Sequence, residues 1–133
     1  MPVLCFRSNI VLSPGECRAL LHDAAESVER LLCRESCKVM ASYETVAMLF
    51  EGCADPMVFT EFQSIEPLGE RIAGELCRAV LDIFNRYAEV DASRVYLNLS
   101  VVHTSSAWKF IDGHPVCPGS TLSPDENGGN DGR

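Results

Sequence analysis

Lysine is almost missing from this chain: of its 11 Lys and Arg residues only Lys38 and Lys109 are lysines, against 19 Asp and Glu. The formal charge of -8 and pI near 4.8 argue against a nucleic-acid backbone or an anionic membrane as main partner, since both need a basic footprint. Any apolar run near the ~20 residues that span a bilayer is lacking, as are the basic region and long apolar stretch of a signal peptide. Synthesis in the cytosol is therefore expected. No metal site is expected either: His22, His103 and His114 are isolated in sequence, and Cys33 and Cys37 have no histidine near them. No cofactor is expected. Seven cysteines, an odd number scattered through segments that read as regular structure, point to free thiols.

What is present suits one domain: 133 residues, 47% hydrophobic and 23% charged. Residues 2–8 predict a short apolar strand. Ser13-Pro14-Gly15-Glu16 then supplies an N-cap, a proline at the first helical position and the glutamate of a capping box. Cys17, Leu20, Leu21, Ala24, Ala25, Val28, Leu31 and Leu32 repeat at helical spacing, which predicts a helix to about Cys33. KVMASYE, residues 38–44, alternates as a strand.

A punctuated stretch, Glu51 to Pro56, leads into a third strand, MVFTEFQSIE. A second helix follows, GERIAGELCRAVLDIFNRY, with Ile72, Leu76, Ala79, Val80, Ile83, Phe84 and Tyr87 on one face. The last alternating strand is RVYLNLSVV. Cys17-Arg18-Ala19-Leu20 in the first helix recurs as Cys77-Arg78-Ala79-Val80 in the second, which suggests a duplication. The expected fold is α+β: two β-α-β units forming a four-stranded mixed sheet with both helices on one face. Apolar residues at both strand phases, Met57, Phe59 and Ile65 against Val58 and Phe62, predict that the second sheet face is buried too, by self-association. The domain is expected over residues 1–112, with 113–133, rich in Gly, Pro, Ser, Asp and Asn, as a flexible tail.

The order β-α-β-β-α-β, Pro2 at the start, and the string Arg94-Val95-Tyr96-Leu97-Asn98 together resemble the family of macrophage migration inhibitory factor and D-dopachrome tautomerase, in the tautomerase superfamily. Met48, Phe50-Glu51-Gly52, Asp55-Pro56, Ser64-Ile65, Gly69 and Trp108 extend the match. The resemblance implies a homotrimer whose three sheets form a central barrel. It also implies keto-enol tautomerisation of a small enolisable carbonyl compound of phenylpyruvate or dopachrome type. Cytokine-like signalling through a cell-surface receptor, with secretion that needs no signal peptide, comes with it.

Carried over by position, Pro2 would be the catalytic base once Met1 is removed. Ile65 would line the pocket, Tyr96 and Asn98 would enter from the adjacent chain, and Trp108 would stand as a core anchor, a pocket wall or a part of the trimer seam. Chemically, a terminal amine begins near ~8 and is lowered by burial toward the pH at which a general base works best. The chain departs from the family where a lysine is expected to hold the substrate carboxylate, because Cys33 stands there with Arg34 beside it. A thiol cannot pair with a carboxylate. Arg34 and Lys109 are the alternative cations. Two functions follow: a tautomerase with reduced or altered activity, or a non-catalytic trimeric binding protein or secreted effector.

Overall fold

A computed structural model describes residues 2–32, 38–106 and 108–117; Cys33, Arg34 and Cys37 lie outside the described residues. The order of elements is β1 (Val3–Ser8), α1 (Pro14–Leu32), β2 (Met40–Thr45), β3 (Val58–Ser64), α2 (Glu70–Phe84), β4 (Val95–Val101) and a short hairpin of β5 (Lys109–Ile111) and β6 (His114–Val116). The sheet runs β2-β1-β3-β4. Its two central strands, β1 and β3, are antiparallel, and each carries its own unit's second strand parallel on the outside. This is the expected pair of β-α-β units.

The helix ends follow local chemistry. At the start of α1 the Glu16 N–H donates to Ser13 Oγ (3.1 Å) and the Ser13 N–H donates to Glu16 Oε1 (2.9 Å), a complete capping box. Hydrogen bonds from Ser13, its N–H first and then its side chain, hold the Glu16 carboxyl below its ordinary value. Their contribution is present above the unfolded carboxyl pKa and lost as pH falls through the lowered folded one. α2 stops at Phe84, short of the expected Tyr87, where the Arg86 and Tyr87 N–H groups donate to the carbonyls three residues back, Ile83 and Phe84, in place of the α-helical four. Arg86 then reaches Asp23 of α1 at 2.8 Å, tying the two helices.

Alternation along the strands sorts the core. Leu4, Phe6, Val58 and Phe62 face the helices and meet Leu20, Ala24 and Val28 of α1 and Leu76, Val80, Ile83 and Phe84 of α2. Thr60 sits among them fully buried, and its hydroxyl has no hydrogen-bond partner among the described residues. A stranded buried hydroxyl costs ~1–3 kcal/mol. Thr60→Val, which keeps the shape and removes the polar atom, is expected to raise the urea midpoint with an unchanged m-value, by about 1 kcal/mol of stability. A lower midpoint would show that the hydroxyl is bonded in solution.

The opposite sheet face, expected to be covered by self-association, carries polar as well as apolar side chains. The same alternation that turns a half-buried Phe59 to this face also puts Glu61 and Gln63 beside it. There Arg7 is held by Glu61 at 2.6 Å and approached by Glu44 at 3.7 Å. Within one chain this face is mixed rather than apolar, with Met40, Cys5, Phe59 and Tyr96 interleaved among polar side chains. The expected domain end at residue 112 falls in the turn of the β5-β6 hairpin, and strand pairing continues through Val116 because Lys109–Ile111 finds its partner there.

One corner of the sheet, where β1 ends and β3 begins, is closed by the segment 50–57. Glu51 and Gly52, at φ 52° and 71°, make the tight turn that pairs Phe50 with Cys53. Arg94 donates to the carbonyls of Pro56 (3.1 Å), Cys53 (3.0 Å) and Asp55 (3.0 Å), more loosely to that of Phe50 (3.4 Å), and its guanidinium lies 5.7 Å from the Phe50 ring centre. Asn9 binds the segment from the other side, donating to the Ala54 and Asp55 carbonyls and accepting from the Met57 N–H. Hydrogen bonds to a charged group contribute ~1.5–3 kcal/mol each before partial exposure is allowed for. Arg94→Met should therefore destabilise the protein by about 2–3 kcal/mol in urea titration; a change under ~0.5 kcal/mol, ordinary for a surface site, would refute the anchoring role.

Candidate active site

The opposite corner, where β3 ends and β1 begins, is open. Pro2 is buried there, one residue ahead of β1. It has no N–H to lose from the ladder, and its carbonyl accepts from the Met40 N–H at 3.0 Å, fixing it against β2. β3 finishes at Ser64, whose carbonyl accepts from the Val102 N–H (2.8 Å) and whose hydroxyl donates to the Glu66 carbonyl (2.5 Å). The chain then turns through Glu66, Pro67 and Leu68 to Gly69, which caps α2 in an extended conformation.

Between these parts lies a cavity of about 400 Å³, a size suited to a small ligand. Pro2 and the Ser64-Ile65-Glu66 turn form one side; Leu31 and Leu32, from the last turn of α1, and Pro67, Leu68, Gly69 and Ile72 form the rest. The lining is largely aliphatic, with Ser64 and Glu66 contributing the polar side chains among the described residues. Aliphatic surroundings disfavour a charged ammonium.

The structure thus brings Pro2 and Ile65 together. Of the other described candidates, Tyr96, Asn98 and Trp108 do not line the cavity. Tyr96 and Asn98 are on the opposite face of the sheet, opposite Phe59 and Glu61 in register, and both are exposed. The Tyr96 ring packs edge-on against Phe50 at 5.4 Å, so the segment that Arg94 anchors also holds Tyr96. Trp108 is 60% exposed and donates its indole N–H to the Ser105 carbonyl at 2.9 Å. Cys33 and Arg34, the residues at the expected lysine position, lie outside the described residues, directly after Leu32.

Glu66, Leu68 and Ile72 were not expected in the site. Glu66 follows Ile65 immediately, so the turn after β3 was the available signal; Leu68 and Ile72 read in sequence only as a loop residue and a helix-face residue. Among the described residues, one group has metal-ligand geometry, His22, Asp23 and Glu26 on α1. It lies away from the cavity lining, and Asp23 is bound by Arg86. Among the described residues, no helix is long and apolar enough to cross a membrane.

No protein-family model matches the sequence, and neither does any curated protein. Solved structures do. Macrophage migration inhibitory factor of Toxoplasma gondii is 21% identical, with 86% of this chain and 99% of that chain covered and a TM-score of 0.73. A macrophage migration inhibitory factor-like protein of Entamoeba histolytica is 14% identical, over 83% of this chain and 95% of that one, with a TM-score of 0.74. A homologue from Prochlorococcus marinus is 21% identical, over 85% and 97%, with a TM-score of 0.72. With this strand order, both helices on one face and a match over nearly the full length of those proteins, the chain has the fold of macrophage migration inhibitory factor, the tautomerase-superfamily fold.

Proposed function

We propose that the processed chain is a homotrimeric tautomerase acting on a small enolisable carbonyl compound, with the Pro2 amine as general base and then general acid. The observation that carries this reading is the burial of Pro2 in the wall of an aliphatic cavity, beside Ile65. In its basic form the amine removes a proton from the carbon next to the substrate carbonyl, and the resulting ammonium returns it to the other end of the enol. The aliphatic walls lower the amine pKa toward neutrality and keep water from competing for the proton. The developing oxygen charge needs donors, and the described lining offers main-chain N–H groups, the Ser64 hydroxyl being already donated to the Glu66 carbonyl. Slow turnover is the expected consequence.

A trimer is supported by apolar side chains that one chain leaves open to solvent, among them Val101 and Phe110 at 56% and 75% exposure. In such a trimer Tyr96 and Asn98 would complete a neighbouring cavity from the far face of the sheet. The lack of a cation among the described lining residues favours a second reading, a non-catalytic trimeric binding protein or secreted effector that signals through a cell-surface receptor.

The test is an assay of D-dopachrome methyl ester and phenylpyruvate with protein whose Met1 removal is verified by mass spectrometry, beside the Cys33→Lys variant. Turnover that depends on a free Pro2 supports the enzyme. No turnover, and none gained with Cys33→Lys, leaves the binding protein. Light scattering that reports a monomer at working concentration would refute the trimer.

A further inference from the structure

We infer that the Pro2 cavity is the head of a longer site whose substrate is an enolisable carbonyl compound with an unbranched alkyl chain, the chain lying in the seam between α1 and α2. The inference deepens the tautomerase reading and rests on taking this cavity as the substrate site. Four residues that line the cavity, Leu31, Leu32, Leu68 and Ile72, also line a narrow crevice that leads on from it. Val28 of α1 and Leu76 of α2 flank the far end of the crevice, and Phe62 of β3 floors it. Val28 precedes Leu32 by one helical turn and Leu76 follows Ile72 by one, so the crevice runs ~5 Å beyond the cavity along both helices.

Each of these crevice residues is apolar, and the space between them is too narrow for a water molecule. The facing side chains therefore lack partners on one side, and an alkyl chain that enters supplies them without displacing bound solvent or stripping a polar group. The walls can part to admit it. Val28, Phe62 and Leu76 are fixed in the core, whereas Leu31, Leu32, Leu68 and Ile72 are half-buried, and the leucines can change rotamer without moving the backbone. Reach separates a chain from a ring. About four methylenes of extended chain cover one helical turn. A phenyl ring attached to the reacting carbon stays in the cavity, where no described lining residue offers it an aromatic face.

2-Oxopentanoate, 2-oxoheptanoate and 2-oxononanoate share one head, and phenylpyruvate has that head and as many carbons as 2-oxononanoate. With protein freed of Met1, affinity is expected to rise about threefold for each methylene added, and 2-oxononanoate to bind at least ~5-fold more tightly than phenylpyruvate. The terminal methyl of 2-oxononanoate is expected to give intermolecular NOEs to the methyl groups of Val28 and Leu76, which line the crevice and not the cavity. Affinity flat in chain length, phenylpyruvate binding as tightly as 2-oxononanoate, or no NOE from the terminal methyl to Val28 and Leu76 would each overturn the inference. Ile72→Phe, which fills the mouth of the crevice, should bring the affinity ratio of 2-oxononanoate to 2-oxopentanoate to within about threefold. An unchanged ratio overturns the inference too, and the NOEs on the unaltered chain decide if that variant does not fold. Exchange of the hydrogens next to the ligand carbonyl in D2O is measured beside binding, in protein with and without Met1. Length-dependent binding with no exchange that needs a free Pro2 sinks the tautomerase reading and leaves the chain site standing; Pro2-dependent exchange with length-independent binding does the reverse.

Discussion

Chain that retains Met1, or that carries any residue ahead of Pro2, is expected to convert D-dopachrome methyl ester no faster than buffer. Acylation turns the Pro2 nitrogen into an amide, whose lone pair is delocalised into the carbonyl and takes no proton near neutral pH. A positioned general base is worth ~10²–10⁴ in rate, so its loss is the largest single effect open to one atom of this site. Pro2→Gly is less severe because it keeps a terminal amine. It loses the ring that fixes φ and fills the wall between β1 and the cavity, leaving a mobile primary amine that is more open to water. We expect kcat/KM to fall about 10²-fold. Full rate in the Met1-bearing chain would eliminate the amine as base.

Phe84→Ala is expected to lower stability by about 3–5 kcal/mol, a large share of what a domain of this size possesses. Phe84 is fully buried at the last turn of α2, its ring edge-on to Phe6 at 5.2 Å and stacked on Tyr43 at 6.0 Å. It thus joins the second unit's helix to both strands of the first. Burial of Tyr43 in that cluster also raises its phenol pKa, and its hydroxyl donates to the Ile10 carbonyl. Truncation removes ring contacts from three elements at once, and a rigid sheet can close little of the void. Phe84→Leu should cost only ~1–2 kcal/mol, which separates lost volume from misfolding. Urea titration at one fixed protein concentration reads both. A loss under ~1 kcal/mol for the alanine would mean that the helices do not depend on this contact.

Much of this fold was legible before any coordinates, for local reasons. The α1 start is carried by four consecutive residues, Ser13 to Glu16, and both helical faces by spacing that needs no distant partner. The second face of β3, on which Phe59, Glu61 and Gln63 stand, was legible only in part, because apolar residues at both phases masked the alternation of FTEFQS. Pro2 and Ile65 were reachable through the resemblance. Glu66, Leu68 and Ile72 were not, because the cavity exists only where the end of α1 meets the start of α2. The anchoring by Arg94 leaves no trace in sequence at all: its partners are main-chain carbonyls about 40 residues away, and every residue has one.

The paired β-α-β plan gives the sheet two corresponding corners, one at the start of β1 and one at the start of β3. At the first stands Pro2, before an open cavity; at the second stands Met57, buried, with its carbonyl on the Ser8 hydroxyl and its neighbours pinned by Asn9 and Arg94. A doubled unit has therefore divided its labour: one copy of the corner is left hollow, and the other is stoppered by the chain itself. Change at the stopper should register as lost protein, and change at the hollow as altered chemistry. The hollow corner is consequently where this chain can drift toward new ligands without surrendering its fold.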